Sequence, residues 1–179
     1  MSAHLVDPAL GHLPHDLLTA LREAYAPAGM NVTTPALREE ESAEYGACRF
    51  ALDGRPIVFR VAKTTPTKVG QFVTLWKRPV PEGEIAPLDR DDGVAFVVVS
   101  VGDAEHRGQF VFTQKTLVDK GVMSRAHQGG KRAIRVYPPW SKPVVPEAIR
   151  TQKWQLQSFL PLPLGGSPDP AQVRKLFAG

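Results

Sequence analysis

Two long stretches of this chain carry basic residues and no acidic ones. From Arg55 to Pro81 the cations are Arg55, Arg60, Lys63, Lys68, Lys77 and Arg78. From Lys120 to Pro146 they are Lys120, Arg125, Lys131, Arg132, Arg135 and Lys142. A solvated surface ordinarily interleaves both signs of charge, whereas a one-sign run keeps the local potential positive and suits phosphate oxygens. Each stretch also holds a tryptophan, Trp76 or Trp140, and Trp154 follows. Gln71, Gln109, Gln128, Gln152 and Gln155 add amides that both donate and accept. Cations beside indoles and amides suit contacts with bases and sugars. The pattern points to a nucleic acid as partner, DNA ahead of RNA. Phosphate contacts are expected from Lys63, Lys68, Lys77, Arg78, Lys131, Arg132 and Arg135, with Gln71 and Trp76 reaching bases. A plainer reading stands beside this one: Trp76, Trp140 and Trp154 are core residues, and the basic runs pair with acids from elsewhere in the chain.

The segment from Lys63 to Gln71 crowds hydroxyls and two lysines into a strand exit, and Gly70 permits an unusual backbone angle. Backbone amides with lysines in such a turn suit an anion. Neither this segment nor Gly129-Gly130-Lys131-Arg132 has the spacing of a phosphate-binding Walker loop. There is no Gly-x-Ser-x-Gly elbow and no dinucleotide fingerprint after a strand. Of His4, His12, His15, His106 and His127, only His12 and His15 are near enough to suggest shared ligation, and they read as surface residues. The single cysteine, Cys48, reads as a buried strand thiol and excludes an intrachain disulfide.

The elements that must position these residues follow from periodicity and turn chemistry. His15–Ala26 has the apolar spacing of a helix, and Pro35–Glu44 reads as a second helix capped by Thr34, its acids forming a solvated face. Residues 47–52 and 56–63 form a hairpin around Asp53-Gly54. A strand over 71–76 follows, then a loop over 79–92. Residues 94–101 are an almost unbroken β-branched run, the mark of a central strand. Strands over 109–112 and 132–137 and helices over 113–120, 146–160 and 169–177 complete the reading. The 179 residues, 42% apolar and 22% charged, suit one α/β (α+β) domain spanning 1–179, with a mixed sheet and helices packed on its faces. The first eleven residues lack the basic and apolar regions of a secretory signal, and no run is long enough to span a bilayer, so a cytoplasmic location is expected.

Several of these stretches resemble the MepB family. The matching words are Glu44-Tyr45-Gly46-Ala47, the run from Phe59 to Lys68, Gly70 to Arg78, Gly108 to Phe112, Gly129 to Arg132, Arg135 to Trp140, and Thr151 to Gln155. They run in order from about Glu41 to Phe159. The resemblance implies a restriction-endonuclease-like core, a mixed central β-sheet flanked by α-helices, and nucleic-acid binding more than a defined reaction. Nucleases of that superfamily place one acid on a strand and an acid-x-Lys on the next, with the acids holding Mg²⁺. Here Lys63 occupies the lysine position, but Val61 stands where the second acid belongs, and valine cannot ligate a metal. Glu44 and Asp53 are the candidates for the first acid; Asp53 reads better as the hairpin turn residue, which favours Glu44.

Three functions follow as alternatives. The first is a nucleic-acid-binding protein with a degenerate catalytic site and no cofactor. The second is a Mg²⁺-dependent nuclease using Glu44, Lys63 and an acid moved in from Glu41, Asp89, Asp91 or Asp92. The third is an anion-binding or protein-interaction module built on the Lys63–Gln71 turn, which a compact pocket at that turn would favour.

Overall fold

The computed structural model describes residues 11–179; His4 and the reading of the N-terminal residues lie outside the described residues. The expected Asp53-Gly54 hairpin is present. Both residues adopt positive φ, +49° and +78°, which matches the right-handed twist of the flanking strands. It joins β2 (Cys48–Leu52) to β3 (Arg55–Val61) in antiparallel register. The β-branched run becomes β6 (Phe96–Gly102), parallel to β3 and antiparallel to β7 (Arg107–Thr113). With β1 (Val32–Arg38) on one edge and β9 (Phe159–Pro161) on the other, six strands form a mixed sheet in the order β1-β2-β3-β6-β7-β9.

Three expected elements change. Residues 35–44 are not a helix. A Thr cap followed by proline suits the start of a helix, but this local signal is overridden by pairing: the segment lies along β2 as β1. Pro35 is tolerated because β1 is an edge strand with an irregular register between Thr34 and Leu37. Helix 146–160 stops early: α3 spans Pro146–Gln155, a 3₁₀ turn covers Leu156–Ser158, and the chain then extends as β9 to pair with the free edge of β7. In the first helix, α1 covers His15–Ala20 and the continuation Leu21–Tyr25 is a π turn.

The long parallel crossover from β3 to β6 holds two short strands and a 3₁₀ turn (Arg90–Asp92) joined by loops. β4 (Lys63–Thr64) and β5 (Gln71–Thr74) lie within it, and β8 (Ala133–Val136) later joins them in a separate sheet ordered β4-β5-β8. Two apolar cores result. On one face of the large sheet, Leu17, Tyr25, Phe50, Phe59, Phe96 and Phe177 pack with the N-terminal helix and with α4 (Pro170–Leu176). On the other, Val97, Val99, Phe110 and Phe112 meet Val73 and Val136 of the small sheet, Leu75 just past β5, and Leu117 of α2 (Gln114–Asp119). A mixed central sheet flanked by helices is therefore present, with the small sheet as an added layer. Arg60 is 1% exposed between the two sheets. It is satisfied by the carbonyls of Thr74 and Phe59 and lies 3.8 Å from Glu39. No helix among the described residues is long and apolar enough to cross a membrane.

Candidate functional site

Strand alternation sets up the site. In β8, Ile134 and Val136 point into the core, which turns Arg135 and Tyr137 outward. The 65–70 loop lies over this outer surface. Gly70 makes that approach possible: its φ is +84°, and a Cβ there would fall 2.7 Å from both the Tyr137 ring and the Val136 carbonyl oxygen. The Arg135 guanidinium reaches the carbonyl oxygens of Val69 and Gly70, each at 3.4 Å. The outer edge of β8 is closed by α3. Gln155 Oε1 accepts from Tyr137 N–H at 2.9 Å, and its Nε2 donates to Arg135 O at 3.0 Å. Gln152 Nε2 donates to the carbonyls of Pro138 and Ser141, both at 3.0 Å, pinning the chain that leads into α3.

Between the loop, β8 and α3 lies a half-open cleft of about 770 Å³. Lys68, Lys120, Lys131 and Arg135 line it, with Tyr137 and Trp154 as its aromatic residues and Glu147 as its acid. Lys120 sits at the C-terminus of α2, where a cation is favoured by the helix dipole, and its Nζ lies 5.9 Å from the Trp154 ring centre. Lys131 follows the Gly129-Gly130 turn, and its backbone N–H is fixed to Val122 O at 2.9 Å. Among the described residues, none of these four cations forms an ion pair with a carboxylate. Potential there is uncompensated at close range.

The expected contact residues divide sharply. Lys68, Lys131 and Arg135 meet in the cleft. Lys63 lies outside it, but on the same face of the small sheet: it sits opposite Phe72, which sits opposite Arg135. Two interstrand spacings place it roughly 10 Å from Arg135. Its Nζ lies 4.8 Å from the Tyr45 ring centre. Arg132 is exposed beside Lys131 and lines no part of the cleft. Lys77 pairs with Asp92 at 2.6 Å, and Arg78 pairs with Glu41 at 2.6 Å. Trp76 donates to the same Glu41 at 2.9 Å. Glu41 is thus not on a solvated helix face; the Arg78 and Trp76 bonds hold its carboxyl below the usual range. Gln71 is buried and accepts from Gly102 N–H at 3.1 Å, and Gln109 is buried and accepts from Tyr25. With Gln152 and Gln155, four of the five glutamines expected to face a nucleic acid bind the protein's own groups. Trp140 stacks on His106 at 4.9 Å. Lys120 and Trp154 were legible only as a member of a basic run and as a helix residue; nothing local signals that they converge.

The residues implied for Mg²⁺ do not fit one. Glu44 is exposed in a 3₁₀ turn (Ala43–Tyr45). Glu41 is committed to Arg78 and Trp76. Asp89 is fully buried and accepts from Ser124 Oγ, Asp91 N–H and His127 N–H; these bonds hold its carboxyl far below the usual range. Asp92 takes Lys77 and caps Asp89 N–H. Among the described residues no three His, Cys, Asp or Glu side chains group so as to share an ion. Cys48 is fully buried in β2, and burial pushes its thiol up to about 12, so it is inert at neutral pH.

The fold and cleft define a mixed α/β protein with a basic surface cleft. The MepB-like family model matches residues 39–161, more than half of the chain, and the chain belongs to that family. A solved structure titled "Crystal Structure of MepB" is similar at 32% identity and a TM-score of 0.67, over 81% of this chain and 93% of that one. Comparison with curated proteins gives no match. The family match ends at β9, so α1 and α4, which cover one face of the large sheet, lie outside it; every residue named in the cleft lies within it.

Proposed function

We propose that this protein binds nucleic acid through the cleft between the 65–70 loop, β8 and α3, without cutting it. The observation that carries the reading is the convergence of Lys68, Lys120, Lys131 and Arg135, free of carboxylate partners among the described residues, on a cleft with one acid. Lys63 and Phe72 extend the same face toward β4. Cations in a groove with aromatic walls suit a phosphate backbone and its bases. The absence of a cleavage step rests on Val61 and on the internal commitments of Glu41, Asp89 and Asp92 described above.

Binding to labelled oligonucleotides across a salt series tests this. Affinity should fall linearly in log–log form as salt rises. No binding at low salt, or binding indifferent to salt, rejects it. A second reading has its own support: the cleft volume lies within the ~300–1,000 Å³ range of small-ligand sites, and the 67–69 turn lines it. An anionic metabolite would then occupy the same residues. Complete competition by a mononucleotide, with no gain in affinity for longer strands, would favour that reading.

A further inference from the structure

The cleft has two unlike walls. Its cations come from the 65–70 loop, the end of α2 and the 131–135 segment. The facing wall is α3, and the cleft-lining residues of α3 include no cation: Glu147, Thr151 and Trp154 contribute a carboxylate, a hydroxyl and an indole. These three recur at spacings of four and three residues, so they lie along one stripe of the helix. The helix does carry Arg150 and Lys153, but neither lines the cleft. A nucleic-acid strand has the matching asymmetry, with phosphates on one side and bases on the other.

Glu147 decides the orientation. It is exposed and, among the described residues, forms no ion pair with the cations around it. A carboxylate facing a phosphate is repelled, so a polyanion in this cleft must turn something else toward α3. Bases offer N–H donors, and unpaired guanine offers two in parallel on its Watson–Crick edge, matching the two oxygens of a carboxylate. In a duplex that edge is covered by the partner base. Resting on the nucleic-acid reading above, we propose that the cleft takes single-stranded nucleic acid, phosphates on the Lys68–Lys131–Arg135 wall and bases toward α3, with Glu147 selecting guanine.

The test uses short thymidine strands carrying one central guanine or one central inosine, which lacks the exocyclic amine, and each strand annealed to its complement. Anisotropy titrations on the full chain should show single strands bound more tightly than duplexes. Guanine should be favoured over inosine by about tenfold, the scale of a bidentate base contact. Glu147→Gln should erase the guanine preference by weakening the guanine strand toward the inosine strand, while strands without guanine bind as tightly or more tightly, since a repulsive charge is gone. Thermal melting of the variant controls for the first turn of α3, where an acid is favoured by the helix dipole. Equal or tighter duplex binding, no guanine preference, or a uniform loss in Glu147→Gln with an unchanged melt would overturn the inference. Those outcomes with salt-dependent binding intact leave the nucleic-acid reading standing; failure of every strand to bind defeats that reading instead.

Discussion

The side chain of Gln155 hydrogen-bonds the open edge of β8 as a neighbouring strand would, accepting from Tyr137 N–H and donating to Arg135 O. The two groups lie two residues apart, so both face the same edge. One buried amide therefore ends the small sheet and fixes where α3 stands. Replacing it with leucine keeps the volume but leaves a buried N–H and C=O without partners, at about 1–3 kcal/mol for each group left unsatisfied. Gln155→Leu should lower the urea midpoint and also weaken oligonucleotide binding, because α3 forms one cleft wall. Comparable destabilisation by Val173→Ala, in α4 on the other core, should leave binding at low temperature unchanged. Equal binding in both variants would separate α3 from the site.

Gly70 fits its place for two reasons that act together, a positive φ and contact with Tyr137 and Val136 O too close for a Cβ. Gly70→Ala should destabilise by about 2 kcal/mol or more, since alanine is strained at that angle before the clash is counted. The loop carrying Lys68 must lift off β8. Binding should fall along with stability, whereas Gly54→Ala, also at positive φ but with open space around it, should cost stability alone. Chemical denaturation and anisotropy on the two variants check this.

Asp89 links the 89–92 turn to Ser124 and His127, and its carboxyl is held low by those three donors. A carboxyl depressed in the folded state stabilises the fold above its unfolded value near 3.9, and that contribution is lost as pH falls toward the folded value. Acid unfolding of the wild type should therefore steepen below about pH 4. Asp89→Asn should be less stable at neutral pH and show a shallower acid limb. Melting curves from pH 7 to about pH 3 decide it; parallel curves for the two proteins would show that Asp89 does not titrate with unfolding.

Much of this fold is written in local signals. The Asp53-Gly54 turn, the Val94–Val101 run, the Thr113 cap of α2 and the Asp169 cap of α4 each depend on residues within a few positions. What escapes a linear reading depends on distant partners. Thr34 and the acids after it imitate a helix start until pairing with Cys48–Leu52 turns the segment into a strand. Gln155 is an ordinary helix glutamine until β8 presents a bare edge. The basic runs identify cations but not which are free, because the acids that claim Lys77 and Arg78 lie 15 and 37 residues away. Glu147 carries no local mark of its place in the wall of a basic cleft.

That division between claimed and free cations yields the sharpest prediction. Lys131 and Arg78 lie in the same kind of acid-free run, yet Lys131 opens on the cleft and Arg78 is bound to Glu41 and to Gly83 O. Lys131→Ala should weaken oligonucleotide binding and lower the slope of log affinity against log salt by about 1. Lys68→Ala and Lys120→Ala should do the same, and the losses should accumulate. Arg78→Ala and Lys77→Ala should leave affinity and slope near wild type. Their cost falls on stability, by less than about 1 kcal/mol, because both ion pairs are partly solvated. If Arg78→Ala reduced the slope as much as Lys131→Ala, the polyanion would track the Trp76–Arg78 segment, and the cleft would not be its seat.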